Sequence, residues 1–423
     1  MQERYDYIIV GAGLCGLVLA KELSQKNKRV LILERGGYIR NLGSIMYVAP
    51  FYDKIGLAKS RQGVINLRVL GVGGTSVVSC GNAVEFPEEE TKKIGIDFSS
   101  EIESSKKECN VSTDHVIGRA SKRIMEEANR LGYGMRSMPK LHLKKCVSCG
   151  NCIWGCAHQN KWSSIDFLKD INTKNIQIIT SFNVRKVTSS NSKALGIEGT
   201  RNLNPKKYLA EKIILAAGGL GTPVILQNSG IEEAGKNLFL DLFNIIYGLN
   251  EQYNQAKELT MSVVCDKFHK NEGFILSPLV DSSIGLLACI DLKYIGNVFR
   301  LNNLMGLMNK IKDENMGRVY PNGAFDKTPT ANDRKKLNKG AEVAKEILIQ
   351  CGVRPKSIFV TRPRGAHPGG TAAIGKVVDK NLETRIKNLF VCDASILPEA
   401  PGLPPILTLV AISKWFVKNI LEK

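Results

Sequence analysis

Histidine is scarce in this chain. Among 423 residues there are five, His115, His142, His158, His269 and His367, so candidates for a general base near neutral pH are few. No apolar run approaches the ~20 residues that a membrane-crossing helix requires. The opening stretch, Met1 to Tyr7, is polar. It lacks the basic start, the apolar core of about 7–15 residues and the small-residue cleavage site of a secretory signal, so a cytoplasmic location is expected. An arginine-rich arm, a zinc-finger spacing and an aromatic-interleaved RNA motif are missing, and nucleic acid is not an expected partner. Internal repeats and low-complexity linkers are missing too, which predicts domains interleaved along the chain.

What the chain has in excess is positive charge, +19 from 59 basic and 40 acidic residues. The basic residues are spread along the whole length and read mainly as solvated surface. An acidic electron-transfer protein or peripheral contact with a membrane surface stays open. Apolar residues at 43% and charged residues at 23% describe an ordinary globular protein with a large core. Eleven cysteines in a reducing compartment are expected to serve metals or packing rather than disulfides.

The strongest chemistry stands near the start. A short apolar strand, Tyr5–Val10, runs into Gly11-Ala-Gly-Leu-Cys-Gly16, an amphipathic helix to about Gln25, and a second strand, Val30–Leu33, that ends on Glu34-Arg35-Gly36. In such a βαβ unit Gly11 permits the tight turn, Gly13 lets backbone approach a pyrophosphate, and Gly16 lets helix and strand pack closely. The helix N-terminus offers free N–H groups to the phosphates. Glu34, 18 residues after Gly16, is placed to accept hydrogen bonds from a ribose. The ending Glu-Arg-Gly favours FAD over NAD.

Further along, Gly71–Asn82 is rich in Gly, Ser and Thr, as backbone pressed against a ligand would be. Arg119–Leu131 is predicted helical, and Ile176–Thr180, Val184–Val187, Ala194–Ile197 and Lys212–Ala217 are predicted strands. The stretch from about Leu242 to Lys293 alternates as a β-rich region. Asn303–Lys312, Asp333–Cys351 and Pro405–Leu421 are predicted helices, and Leu389–Cys392 a strand.

Cys146, Cys149, Cys152 and Cys156 follow the C-x2-C-x2-C-x3-C spacing of a ferredoxin-type ligand run. Four thiolates so close along the chain wrap a cuboidal iron–sulfur core, with Gly150 and Gly155 for the turns, whereas zinc prefers two separated pairs. A four-iron cluster is favoured, while Ala157 in place of the usual proline and the lack of a second run leave a three-iron form open. Zinc, or a bare cysteine-rich loop, is the alternative. Cys15, Cys80, Cys265, Cys289, Cys351 and Cys392 read as core residues.

Four segments together resemble the glucose–methanol–choline (GMC) oxidoreductase family. They are the opening βαβ unit, Gly71-Val-Gly-Gly-Thr-Ser76 with Gly81-Asn82, Gly218-Gly-Leu-Gly-Thr-Pro-Val-Ile-Leu-Gln-Asn-Ser-Gly-Ile231, and His367-Pro-Gly-Gly-Thr-Ala-Ala-Ile-Gly375 with Asn388–Ser395 and Pro404–Thr408 behind it. The resemblance implies an α/β fold: a Rossmann-like FAD-binding domain interleaved with an α+β substrate domain on an antiparallel sheet, plus a cysteine-rich iron–sulfur insert. The expected division is 1–100, 176–240 and 355–423 for the FAD domain, 101–175 for the helical and cysteine insert, and 241–354 for the substrate domain. The resemblance implies that Gly73, Gly74, Thr75, Asn82, Asp393 and Ala394 line the flavin, that Val184 lies near the adenine, and that Arg35 belongs to the same cofactor site. It also implies that His367 is the catalytic base. The family's second acid–base residue falls at Pro404, which has no side-chain donor or acceptor. Asn82 and His269 are the candidate substitutes.

The expected function is an FAD-dependent dehydrogenase oxidising a CH–OH group of a small molecule, with electrons relayed through the cluster to an acceptor protein or quinone. A small partner subunit fits that scheme. The rivals are a flavin- and cluster-dependent reductase of another bond, such as C=C, and a non-catalytic electron-transfer subunit.

Overall fold

The computed structural model describes residues 4–56, 58–143 and 145–421. A seven-stranded sheet carries the opening unit at its centre. Its order is 176–179, 30–33, 4–10, 204–215, 193–201 and 182–190, with 389–391 also paired to 204–215. The strands at 176–179, 30–33, 4–10 and 204–215 pair in parallel (Tyr7 lies opposite both Val30 and Lys212), as does 389–391. Ile8, Ile9, Leu31, Ile32, Ile213 and Ile214 are wholly buried. Parallel strands covered on both faces read as unbroken apolar runs, which is why this part of the sequence signals itself.

The second sheet has the order 274–278, 304–311, 243–249, 364–365 and 65–66, with 359–360 added to 243–249. Helix Ala331–Gln350 covers it, placing Leu337, Ala344, Ile347 and Leu348 in one core with Ile246, Phe274 and Leu307. The helix begins in a capping box, in which Thr330 Oγ1 accepts the Asp333 N–H and the Asp333 carboxylate accepts the Thr330 N–H.

One element reverses its expected type. Asn303–Lys312, predicted helical, is the strand Leu304–Ile311, buried at every position and paired antiparallel to Phe243–Leu249. A strand buried on both faces has no alternation, so Leu304, Leu307, Met308 and Ile311 mimic helical spacing. At Gly306 a Cβ would meet the Leu279 carbonyl oxygen at 2.4 Å, so the glycine answers a close backbone approach. The region 242–293 is β-rich only to Pro278; Ser283–Cys289 is helical and Leu292–Asn303 is a 3-10 helix. The other predicted helices and strands are present with boundaries shifted by a few residues, except that the two strands within 182–201 are longer than expected and the one expected at Lys212–Ala217 starts eight residues earlier, as Asn204–Leu215.

Candidate active site

The glycine turn after the first strand has the geometry its spacing predicts. Gly11 sits at φ +107, and a Cβ there would meet the Ala216 carbonyl oxygen at 2.4 Å. A Cβ at Gly16 would meet the Gly11 carbonyl oxygen at 1.9 Å, so this glycine sets the distance between helix and strand. Gly13 has nothing within 4 Å of its Cβ position, and neither has Gly218 at the start of the helix Gly218–Asn228. Both line one large cavity of about 740 Å³. Two helix N-termini therefore open, bare of side chains, onto the same space, which fits a pyrophosphate.

Glu34, Arg35, Gly74, Thr75, Asn82, Val184, Asp393, Ala394 and His367 line that cavity with Gly11 and Gly13. Gly16 and Gly73 stand behind it. Gly73, at φ +91, turns the chain under the wall, while Thr75 Oγ1 accepts the Val69 N–H at 3.1 Å. Glu34 has a role its spacing does not reveal. Its two carboxylate oxygens accept the N–H groups of Ala12 and Gly36, each at 2.8 Å, so it braces the glycine turn and keeps its remaining lone pairs for a ribose. Asp393 joins the middle of the chain to its carboxy-terminal part, accepting the Gly218 N–H at 2.8 Å, the Thr222 hydroxyl at 2.5 Å and the Ser395 N–H at 2.8 Å. Burial pushes its carboxyl above the usual range. This arrangement fits a dinucleotide held along the cavity.

At that end His367 Nδ1 lies 3.0 Å from Asp241 Oδ2 and 3.0 Å from Lys310 Nζ. Asp241 is wholly buried and its other oxygen accepts the Gly402 N–H at 3.0 Å. Lys310 comes from the strand taken for a helix and lines the cavity beside His367 and Pro404. Burial is the main cause that pulls its ammonium down to about 8, against the opposing charge of Asp241. Burial, then the Lys310 charge, holds His367 below the ordinary imidazole range. His269 is no substitute for the missing partner, since its Nε2 bonds to the Pro401 carbonyl at 2.7 Å and it does not reach the cavity. Asn82 does reach it, but its Oδ1 is taken by Lys140 Nζ at 2.6 Å and its amide donates to Met261 Sδ at 3.3 Å.

The cysteine run forms a loop against the same cavity, which Ile153 and Trp154 line. Tyr52 donates to the Ile153 carbonyl at 2.5 Å, and Gly43 N–H to the Trp154 carbonyl at 2.7 Å. A Cβ on Gly150 would strike the Ala256 carbonyl oxygen at 1.9 Å, so the loop is packed tightly from the other side. The Ser148 N–H points at Cys146 Sγ, 3.4 Å away. Among the described residues no three Cys, His, Asp or Glu side chains converge into a metal-binding group. Outside the run, two buried cations stand near its sulfurs. Lys140 and Lys161 are buried, and both lie within electrostatic reach of Cys152 and Cys80. Lys140 donates to the carbonyls of Cys80 and Thr260, each at 2.9 Å, besides Asn82; Lys161 donates to those of Val77 at 3.1 Å and Ser79 at 2.5 Å. Neither has a carboxylate within salt-bridge distance among the described residues, although buried charges are normally paired.

Cys80 packs against the apolar core as expected and, like Cys15 and Cys289, also lines the cavity; burial raises its thiol to about 11. The remaining scattered cysteines are buried, as expected. Lys140, Lys161, Lys310 and Asp241 carried no signal in the sequence beyond their charge.

A glycine turn between strand and helix, a second helix N-terminus and a half-buried histidine in one cavity define a flavoprotein-type redox site. The chain belongs to the GMC oxidoreductase family: the amino-terminal family model matches residues 5–243 and the carboxy-terminal one residues 313–413. It is an FAD-dependent oxidoreductase. An uncharacterized protein of Methanocaldococcus jannaschii is 33% identical over 420 residues, covering 99% of this chain and all of that one. A long-chain-alcohol oxidase of Arabidopsis thaliana is 25% identical over 501 residues, 96% of this chain and 66% of the plant protein. Among solved structures, pyridoxine 4-oxidase from Mesorbium loti superposes with a TM-score of 0.74 at 16% identity, over 99% of each chain.

Proposed function

We propose that this protein oxidises a CH–OH group of a small molecule, with His367 taking the hydroxyl proton and Lys310 accepting it in turn. FAD, bound along Gly11, Gly13, Glu34, Gly74, Val184, Asp393 and Ala394, supplies the hydride acceptor. The reading is carried by the pair of 3.0 Å contacts at His367 Nδ1. Asp241 and Lys310 satisfy both at once only when Nδ1 bears a proton and Lys310 is the neutral amine, because a carboxylate and an amine then both accept. That tautomer leaves the Nε2 lone pair for the substrate hydroxyl. As Nε2 takes a proton, Nδ1 passes its own to Lys310, and Asp241 keeps the ring in place throughout. With its ammonium pulled down to about 8, Lys310 is the neutral amine in a minority of molecules near neutral pH and in most of them above pH 8. Lys310 thus takes the part that Pro404 leaves vacant.

Cys146, Cys149, Cys152 and Cys156 would hold a four-iron cluster, which supplies one-electron transfer toward an external acceptor, either a protein or a quinone. The two buried lysines without carboxylates support an anionic group there. A cavity lined by a half-buried base favours a catalytic enzyme over a mere relay subunit. Anaerobic mixing with a panel of alcohols, following flavin bleaching, tests the reading. Bleaching that is unchanged in His367→Ala with every active substrate sinks the base assignment.

A further inference from the structure

We propose that the mouth of the cavity docks on an anionic lipid surface and admits an apolar alcohol dissolved in the bilayer. Two stretches form that mouth. Ile55 on one and Ile284 on the other each line the cavity while remaining 69% and 57% exposed. Soluble proteins expose large apolar side chains singly, and an apolar patch around a cavity entrance marks an interaction site. The same two stretches carry further exposed apolar side chains. Met46 is 80% exposed beside Tyr47 on the first, and on the second Leu292 is 84% and Phe299 90% exposed.

Local structure turns these side chains out. Ile55 stands at φ 58, a conformation that a β-branched residue rarely adopts, at the tip of the turn Asp53–Gly56. The helix Ser283–Cys289 buries Leu286 and Cys289 and leaves Ile284 and Leu287 outside. In the 3-10 helix Leu292–Asn303 no residue is fully buried. A wedge of this kind is too short to span a bilayer, and none of the described helices is long and apolar enough to do so. It is suited to the interface between headgroups and acyl chains.

Charge selects the surface. Between Arg35 and Arg61, and again between Ser282 and Asn303, there are seven basic residues against two acidic ones, Asp53 and Asp291. Asp53 is already bound to Arg68, whose Nε lies 2.7 Å away. Basic residues flanking an apolar rim complement anionic headgroups. Behind the mouth, Phe243, Leu279 and Met308 continue the apolar wall toward His367. A polar alcohol gains nothing from such a passage, whereas an apolar chain stays out of water along its whole route. The substrate class rests on the CH–OH reading above; the docking does not.

The test uses the FAD-loaded full chain, sedimented with vesicles of equal parts phosphatidylcholine and phosphatidylglycerol, and with phosphatidylcholine alone. The wild-type chain is expected to bind the anionic vesicles and not the neutral ones. Leu292→Ser with Phe299→Ser should weaken binding by about tenfold or more, as when a large apolar side chain no longer leaves water. Flavin absorbance and oxidation of a short, water-soluble alcohol stay unchanged in that variant. Equal binding of variant and wild type overturns the proposal, as does a dimer in light scattering that the substitutions dissociate. Vesicle binding is read without turnover, so a chain that binds vesicles yet oxidises no alcohol refutes the functional reading and leaves the docking standing.

Discussion

His367 Nδ1 and Lys310 Nζ are 3.0 Å apart in the wall of the cofactor cavity, with Asp241 Oδ2 also 3.0 Å from the same nitrogen. One imidazole nitrogen thus faces both a carboxylate and an amine. The arrangement makes the proton inventory of three side chains a single quantity, and the pH dependence of flavin reduction reports it.

Lys310→Met removes the final proton acceptor. In the wild-type chain flavin reduction rises with pH as the ammonium, held near 8, gives up its proton. The variant loses that limb. Its remaining limb is that of His367, now freed from the neighbouring cation and so moved upward toward the ordinary imidazole value. Stopped-flow bleaching across pH checks both shifts, and a limb near 8 retained in Lys310→Met rules the relay out. The same variant should melt at a higher temperature, because a buried amine is replaced by an apolar chain of similar length.

Asp241→Asn keeps the shape and changes the tautomer. The Asn carbonyl would take over the Gly402 N–H, which leaves the amide N–H₂ facing His367 Nδ1. The ring must then accept there and carry its proton on Nε2, where the substrate needs a lone pair. Flavin reduction should fall about 10²–10⁴-fold, as for general-base loss. Flavin content should stay full. A near-normal rate would mean that Asp241 serves packing alone.

Gly13→Val and Gly11→Val should fail differently. At Gly13 the Cβ position is open, so the protein folds and the side chain fills space meant for the pyrophosphate. At Gly11 the backbone is left-handed and the Ala216 carbonyl oxygen is 2.4 Å from the Cβ position, so the fold itself suffers. Gly13→Val is expected as soluble protein with native circular dichroism and little flavin. Yellow Gly13→Val with one FAD per chain would displace the cofactor from this turn.

These contrasts show which parts of the molecule were legible in the sequence. Gly11, Gly13 and Gly16 announce themselves because their requirements are local, set by a turn and one helix. His367 stood out through scarcity and through the glycine-rich loop around it. Lys310 did not, since the strand Leu304–Ile311 is buried on both faces and its apolar spacing imitates a helix. Asp241 sits alone in a left-handed conformation at φ 48 and belongs to no pattern. Lys140 and Lys161 were hidden in a large surplus of positive charge that otherwise reads as surface. Only the tertiary fold takes them out of water.

Those two lysines lead to the last prediction. If the cysteine loop holds an iron–sulfur core, purified protein contains about four iron and four acid-labile sulfide per chain, or three of each for the smaller form. Cys149→Ser should lose or damage that core while FAD stays bound, because Cys149 does not itself line the flavin cavity. Lys161→Met tests the environment rather than the ligands. Its ammonium is buried, hydrogen-bonded among the described residues to the carbonyls of Val77 and Ser79, and within electrostatic reach of Cys152 and Cys156. A positive charge in a poorly screened site stabilises the reduced, more negative core. Its removal should lower the reduction potential by an amount on the order of tens of millivolts. Metal content should stay unchanged, and redox titration followed by EPR reads the difference. With no cluster present, Lys161→Met should behave as a simple relief of buried charge, raising stability with no spectroscopic change. One zinc per chain and no sulfide would remove the electron relay from the mechanism and leave the proton chemistry at His367 intact.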